Sequence, residues 1–357
     1  MMNQGFSQMH AFHFVDAVRS FRMAAQQRPE AVSPQLGLIF GYLNLGRVHG
    51  EKYAQKAYEK ARKILKEQEN PSEKDQLWFE FAGSYLAKRA RSIAIKGDQR
   101  LPRLSKAYRN LMEAFPDDVE VLTFATSMVN LFSEEKYKEA LNIHPENAAA
   151  HHYLTHYYES EAEFEKAMVH AEQFAKQAPR MAHAQHMYGH ILPQFGEWEQ
   201  ALEQFETANQ IHEDWSLRNQ VPKTEDWHYS HNNHLMSVVA LVLGNEMQAR
   251  GLMMKACKSD ARACSSVMRL DLAFDEPERA LEVFEREIAL GLGRPGVLES
   301  ERIVAHLMMG KSLSRVETEI RKLKTRQDPF ERIIGLIYAD QNSDILNKVV
   351  VEFARKS

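Results

Sequence analysis

The sequence predicts an all-α protein built from stacked pairs of helices, and three observations carry this prediction. Apolar residues recur at intervals of three and four along almost the whole chain, as on one face of an amphipathic helix. Strong helix formers dominate the composition, whereas alternating β-branched runs are scarce. Prolines stand mainly between the periodic stretches, where helices begin or end: Pro29, Pro71, Pro116, Pro145, Pro179 and Pro222.

An internal repeat runs through the middle of the chain. In "GHILPQFGEWEQALEQFETANQ" small and aromatic residues stand at fixed spacing: Gly189, Leu192, Gly196, Trp198, Ala201, Phe205 and Ala208. The pattern recurs one repeat earlier from Ala167 and, after a longer interval, again from Ala249. This spacing matches the tetratricopeptide repeat (TPR), a pair of antiparallel helices closely packed through small residues. The predicted fold is therefore a right-handed superhelical array of TPR helix-turn-helix repeats.

The same register extends toward both ends of the chain. Weaker copies of the pattern stand at Ala17, Phe21 and Ala24, at Ala54, Tyr58 and Ala61, and at Ala280 and Phe284. The interval before the copy at Ala249 is longer than one repeat, and its additional residues fall in the polar segment 211–230. We interpret this segment as a long loop. We divide the chain into amino-terminal TPR-like repeats (1–144), histidine-rich repeats (145–260), and carboxy-terminal helical repeats with a cap (261–357).

Composition excludes several classes of function. The 357 residues are 44% hydrophobic and 26% charged, with a net charge of −4, as in an ordinary soluble protein. No basic stripe with interleaved aromatics indicates nucleic-acid binding, and no apolar run is long enough to span a membrane. The amino terminus does not have the pattern of a signal peptide. We expect a cytoplasmic protein, or a periplasmic or secreted one if a leader has been removed.

Histidine clusters in the central segment, and the cluster follows the repeat. Twelve of the 16 histidines lie between His144 and His234, a quarter of the chain. The histidines that keep the repeat spacing are His152 and His156; His183, His186 and His190; and His231 and His234. Spacings of three and four place them on one helical face, with Glu159 one turn further on. In a TPR array this stripe would line the concave groove, away from core positions such as Leu154, Tyr158, Met187, Ile191 and Met236.

We interpret the stripe as a transition-metal site, because neutral imidazole is the commonest ligand of such ions. Single histidine pairs are usually solvated surface residues, but separate accidents need not follow a repeat period. The predicted ligands are His152, His156, Glu159, His183, His186, His190, His231 and His234, and the ion is zinc, iron or copper. We favour Glu159 as a partner that orients an imidazole. His144, His151, His170, His212 and His228 are interpreted mainly as surface or loop residues, and His10 and His13 as marginal additions to the groove.

Three stretches carry a family resemblance. "HYLTHYYES", "HAQHMYGHI" and "HNNHL" resemble the histidine motifs of a largely uncharacterised group of bacterial TPR proteins. Those motifs run as His-Tyr-x-x-His-x-x-Glu, His-x-x-His-Met-Pro-Ser-His-Ile and His-Asn-x-His-Phe-Leu. The resemblance covers residues 3–260 and adds Asn232 to the matched positions. It supports the site without naming its chemistry. Tyr188 and Gly189 depart from it, since they stand in place of Pro-Ser.

Three functions remain open at this point. The first is a metal-binding TPR protein, in which the ion has a structural or carrier role. The second is a protein-interaction scaffold that holds a peptide or partner protein in the groove. The third is a metal-dependent hydrolase or oxidase, in which Glu159 or Tyr153, Tyr157 or Tyr188 would handle protons. The His-Glu-x-x-His motif of zinc peptidases is absent from the sequence, so the catalytic residues of such an enzyme are unknown.

Overall fold

The structure, a computed structural model, describes residues 1–45, 50–89, 100–129, 133–223, 227–259, 263–289, 302–306 and 308–310. These residues form helices and turns and contain no strand, which confirms the all-α prediction. The proposed carboxy-terminal cap falls largely on residues 311–357, outside the described part. No helix within the described ranges is both long and apolar enough to cross a membrane.

Contacts divide the chain into two compact units, Met1–Gly196 and Glu197–Ser357. The helices of the first are α1 (Met2–His10), α2 (Phe14–Gln27), α3 (Ser33–Asn44), α4 (Gly50–Glu67), α5 (Glu73–Arg89), α6 (Arg100–Ala114), α7 (Thr126–Val129), α8 (Glu134–Ile143), α9 (Ala148–Ser160), α10 (Phe164–Gln177) and α11 (Ala182–Ile191). A π-turn at Val121–Ala125 precedes α7, and a 3₁₀ turn at Leu192–Phe195 follows α11. The second unit contains α12 (Trp198–Asn219), α13 (Trp227–Val242), α14 (Glu246–Ser259), α15 (Cys264–Ala273) and α16 (Pro277–Ala289).

The division after Gly196 falls inside the predicted histidine-rich segment. Our boundaries at 144 and 260 follow repeat register and histidine content rather than contacts, and they stay a prediction. The helix boundaries do agree with the prolines singled out above, each of which stands outside the long helices at a connection. Short connections join α9 to α10, α10 to α11 and α13 to α14, so neighbouring helices pack antiparallel.

The repeat register is visible in the packing of the second helix of each pair. In six of these helices an alanine within the first five residues is completely buried: Ala17, Ala54, Ala167, Ala201, Ala249 and Ala280, each with 0% of its surface exposed. A side chain as small as alanine lets two helix backbones approach closely, which is why the repeat requires it at this position.

A second position of the register ends the first helix of a pair. Just before the helix that carries the buried alanine, the backbone turns into the left-handed region at Phe12, Ala162, Gly196, Gly244 and Asp275, with φ of 60°, 57°, 77°, 75° and 59°. Glycine adopts this conformation without steric penalty, whereas a side chain at the same position is strained. Two of the five positions carry glycine, and one carries a phenylalanine.

The amino-terminal helix of the first unit packs against three other helices of that unit. The ring of Phe21, on α2, has no exposed surface and packs against α1 and α3. Helix α1 contacts α2 and α3, and it also reaches α9, which is far from it along the chain. This long-range contact brings the end of α1 to the predicted histidine stripe.

The long loop predicted for 211–230 is wrong over most of its length. Helix α12 continues to Asn219 and α13 begins at Trp227, which leaves only 220–226 as a connection, with 224–226 outside the described residues. The extended helix keeps an inward face, on which His212 is 2% exposed. Across the pair, fully buried Asn232 donates hydrogen bonds to the Phe205 carbonyl (2.8 Å) and to Asn209 Oδ1 (2.8 Å). This motif asparagine therefore holds α13 against α12.

Candidate functional site

Three of the predicted histidines meet between α9 and α11. His152 and His156 lie one turn apart on α9, and His183 lies in the first turn of α11. The Nε2 atom of His152 is 3.0 Å from Nε2 of His156 and 2.9 Å from Nε2 of His183. One ligand nitrogen from each of these three residues lies within 4.8 Å of the other two. We call this group the histidine triad.

Local sequence explains how the triad is assembled. Asn147 caps α9, since its side chain accepts a hydrogen bond from the Ala150 amide at 2.8 Å. The four-residue spacing of His152 and His156 then places both rings on one face. The connection between α10 and α11 returns the chain so that α11 contacts α9, which brings His183 to the same point.

Aromatic rings enclose the triad. The Phe174 ring stacks on His152 with the ring centroids 4.8 Å apart. Phe12, at the end of α1, lies 4.9 Å from His152, 6.2 Å from His156 and 5.2 Å from His183 between ring centroids. His152 is 0% and His183 3% exposed, although we expected the stripe to face an open groove. The difference arises because α1 packs against α9 and its terminal aromatic residue covers the imidazoles.

A carboxylate stands beside the triad. Glu159 Oε1 is 2.5 Å from His190 Nδ1, and its Oε2 is 3.8 Å from His156 Nδ1. Burial opposes the ionisation of Glu159, but hydrogen bonds and positive charge from His156 and His190 outweigh it and lower its pKa to about 2. The imidazole of His186 lies between His183 and His190, with ring centroids 5.8 and 5.7 Å away. The predicted ligands of the first unit therefore form one continuous group.

The remaining two predicted ligands belong to the second unit. His231 and His234 both lie on α13, where the ring of Trp227 is 5.9 Å from that of His231. Burial, followed by the charge of Arg269, lowers the pKa of His234. Both histidines stay predicted ligands.

Several histidines outside the stripe are buried, contrary to our interpretation of them as surface or loop residues. His212 and His228 are 2% and 3% exposed, because the helices on which they lie extend through the segment we took for a loop. His151 Nδ1 pairs with His170 Nδ1 at 2.8 Å, and His151 Nε2 donates to the Pro145 carbonyl at 3.0 Å. His144 is exposed, as expected.

Sequence reasoning missed the residues that surround the triad. Phe12 and Phe174 were assigned no role at the site. His10 was considered marginal, yet its Nδ1 lies 2.8 Å from the Tyr153 hydroxyl and its Nε2 3.0 Å from Glu120. One signal for Phe12 was present in the register, since this bulky residue stands where other repeats have glycine.

The His151–His170 pair makes stability depend on pH. Burial, then repulsion from His151 and Lys138, lowers the pKa of His170 to about 4, and the ring stacks 5.5 Å from that of Tyr158. The unfolded chain binds this proton near the usual pKa of about 6.5, so the stabilisation is complete above pH 6.5 and is lost as pH falls toward 4. We expect His170→Gln to reduce the loss of unfolding free energy between pH 7.5 and pH 4.5 by about 1–2 kcal/mol. The expected change is small because solvent near the half-buried ring screens part of the effect. Urea unfolding at pH 7.5 and 4.5 measures this loss, and an equal loss in the wild type and the variant would contradict the prediction.

Comparison with known proteins addresses the fold. No family model matches the chain, and no curated protein matches it either. A tetratricopeptide repeat protein from Parabacteroides merdae is similar over 72% of this chain and 100% of its own, with 14% identity and a TM-score of 0.51. YrrB, described as a TPR protein with an unusual peptide-binding site, is 16% identical over 58% of this chain and 98% of its own, with a TM-score of 0.42. Yeast Tom70 is 15% identical over 89% of this chain and 61% of its own, with a TM-score of 0.44.

At such identities likeness speaks for the fold alone, and of these three only the P. merdae protein is similar enough to carry the argument. Its similarity agrees with the helix pairs and with the buried alanine of the repeat register. The chain is therefore an all-α array of tetratricopeptide-type helical repeats.

Proposed function

We propose that this protein binds a transition-metal ion through His152, His156 and His183, in a structural or carrier role. The observation that carries the proposal is the convergence of three Nε2 atoms, 2.9 and 3.0 Å apart where they meet at His152. An ion with bonds of about 2 Å holds its ligand nitrogens roughly 3.3–3.5 Å apart, so a small adjustment of the rings would admit it.

Protons alone explain this convergence less well. A neutral imidazole nitrogen carries either one proton or one lone pair. His152 Nε2 faces two other Nε2 atoms, but its one proton or one lone pair can form only one well-directed hydrogen bond with them. A metal ion instead accepts one lone pair from each imidazole, which leaves every Nδ1–H available to an outer partner.

Glu159 is placed to act as such a partner. Its carboxylate lies 3.8 Å from His156 Nδ1 and contacts His190, so it favours the orientation in which His156 presents Nε2 to the ion. His186 and His190, next along α11, and His231 and His234, on α13, remain predicted metal ligands, and the ion proposed here is held by the triad alone. The likeness of these stretches to the histidine motifs of the bacterial TPR group belongs to the same proposal.

A structural or carrier role fits the surroundings better than catalysis. A metal-dependent hydrolase or oxidase needs space for its substrate beside the ion. Here the rings of Phe12 and Phe174 pack against the triad imidazoles, with their centroids 4.9 and 4.8 Å from that of His152. We therefore place the enzyme interpretation below the binding one.

The metal content of the purified protein tests the proposal. Protein prepared without tag or chelator is expected to carry at least one equivalent of zinc, iron or copper by plasma mass spectrometry. His152→Ala with His183→Ala is expected to lose at least about nine-tenths of it, because one remaining imidazole binds far more weakly than three. His144→Ala, which removes an exposed histidine from the end of α8, serves as the matched control. Absence of metal from the wild-type protein, even after reloading with each ion, would overturn the proposal.

A second candidate function is peptide or partner-protein binding, which a cavity in the first unit favours. The cavity has a volume of about 520 Å³, within the usual range for ligand sites. Its wall combines apolar residues with polar ones, among them His10, Glu120, Asn147, Phe174 and Arg180. If the wild-type protein binds no metal in the experiment above, peptide or partner-protein binding becomes its proposed function.

A further inference from the structure

Phe12 is the feature of the site that the metal proposal does not use. Its ring contacts all three imidazoles of the triad, at centroid distances of 4.9, 6.2 and 5.2 Å. Phe174 packs against two of them, 4.8 Å from His152 and 6.3 Å from His183. An ion held by the three Nε2 atoms would therefore lie next to aromatic carbon.

The backbone at Phe12 belongs to the helix ending that recurs along the chain. The Phe12 amide donates to the Met9 carbonyl (3.1 Å) and the His13 amide to the Gln8 carbonyl (2.8 Å), the pattern that commonly closes a helix with glycine. Ala162 ends α9 at the equivalent position with φ 57° and exposes its side chain. The same turn therefore forms without a large side chain, and the ring of Phe12 is an addition to it.

Left-handed backbone at a bulky residue persists only where the surroundings favour that residue. The turn itself does not need phenylalanine, and the ring makes its contacts with the histidine triad. The strained position therefore points to the triad as the reason for the side chain.

The donor set limits the charge that the site can hold. Among the residues that the structure describes, the ligand group consists of three histidines, and the Glu159 carboxylate lies outside it, beside Nδ1 of His156 rather than Nε2. Three neutral imidazoles do not themselves offset the charge of an ion, and the cost of burying an ion rises with the square of its charge. A divalent ion such as zinc usually reaches four-coordination by adding water, which also spreads its charge.

We propose that Phe12 closes the fourth coordination position of the triad and thereby makes it a three-coordinate site for monovalent copper. This inference rests on the proposed metal-binding function and names its ion. Cu(I) carries a single charge and is stable with three ligands, so it needs no water in a fourth position. Exclusion of water by Phe12 and Phe174 thus disfavours zinc more than it disfavours Cu(I).

Metal titrations of the apo-protein test the inference. Cu(I) is added without oxygen in competition with bicinchoninate, and Zn(II) in competition with a chromogenic chelator. Wild type is expected to bind one Cu(I). Phe12→Gly is expected to change the Cu(I) affinity by less than about threefold, and to raise the Zn(II) affinity on the order of tenfold or more by admitting a water ligand. Ala162→Gly makes the same backbone change away from the triad and is expected to leave both affinities unchanged.

The outcomes separate the two proposals. If neither ion binds wild type, the metal-binding function itself is wrong. Equal zinc affinities in wild type and Phe12→Gly would leave the metal site standing and overturn the role of Phe12. Phe12→Asn provides a second test should the glycine variant fail to fold, because asparagine tolerates left-handed backbone and is small enough to admit water. Cobalt(II) absorption reports the fourth ligand independently, and a four-coordinate spectrum in wild type would contradict the proposal.

Discussion

Saturating the apo-protein with its metal ion is expected to raise the melting temperature of the first unit by about 8–16 °C. A ligand at a thousandfold excess over its Kd stabilises the folded state by about 4 kcal/mol, and for a unit of this size each kcal/mol shifts the melting temperature by about 2–4 °C. The triad lies wholly within Met1–Gly196, so this unit receives the stabilisation. Scanning calorimetry of the full chain with and without metal measures the shift.

His152→Ala is expected to abolish the metal-dependent rise. This substitution also removes a buried ring that stacks on Phe174, so the apo-variant will melt lower than the apo-wild type. The informative quantity is therefore the difference between the loaded and apo forms of each protein. His183→Gln keeps more of the side-chain volume and is expected to give the same loss, whereas the exposed control His144→Ala keeps the full rise. A rise of equal size in the two triad variants would show that the ion binds elsewhere.

Phe21→Ala is expected to destabilise the first unit by about 3–5 kcal/mol, as a large core ring removed from a closely packed site usually does. The ring has no exposed surface, and a β-carbon added at Gly5 or Gly37 would lie only 2.5 Å from it. These contacts with α2 fix where α1 lies, and Phe12 follows two residues after the end of α1. Urea unfolding measures the loss, and Met23→Ala, on the exposed side of the same helix, is expected to change stability by less than about 0.5 kcal/mol.

A double substitution sharpens this test. In wild type, Gly37→Ala is expected to destabilise, because the new methyl group would overlap the Phe21 ring. In the Phe21→Ala background the space is free, and the same change is expected to stabilise by up to about 1 kcal/mol through higher helix propensity. A Gly37→Ala effect of the same sign in both backgrounds would mean that Phe21 does not pack against α3 as described.

Much of the fold followed from short-range patterns. The buried alanines of the repeat, from Ala17 to Ala280, stand where the repeat register predicts them, because close helix packing requires a small residue at a fixed distance from each turn. The segment 211–230 was misassigned because its polar composition resembles that of a loop. A helix with one buried face can carry many polar residues, and α12 buries only the inward positions of that segment, such as His212.

The candidate site, like the fold, was predicted from the sequence only in part. Repeat spacing placed His152, His156 and His183 among the seven histidines of the predicted stripe, but it did not single these three out, because the equivalent of His152 in the next repeat is His186 rather than His183. Burial of the triad depends on Phe12 and Phe174, and neither of these residues lies on the helices that carry the triad. Helix α1 meets α9 although six other long helices separate them along the chain, and no local periodicity encodes such a contact.

The sequence by itself therefore determined the class of fold, the repeat and the histidines that stand in its register, since each of these depends on spacing along single helices and on their regular stacking. Only the tertiary structure decided that three of those histidines converge, that Glu159 joins His156 to His190, and that an aromatic ring just after α1 covers the group. These features depend on which distant helices pack together, and that is settled by the shape and volume of whole side chains rather than by their order in the chain.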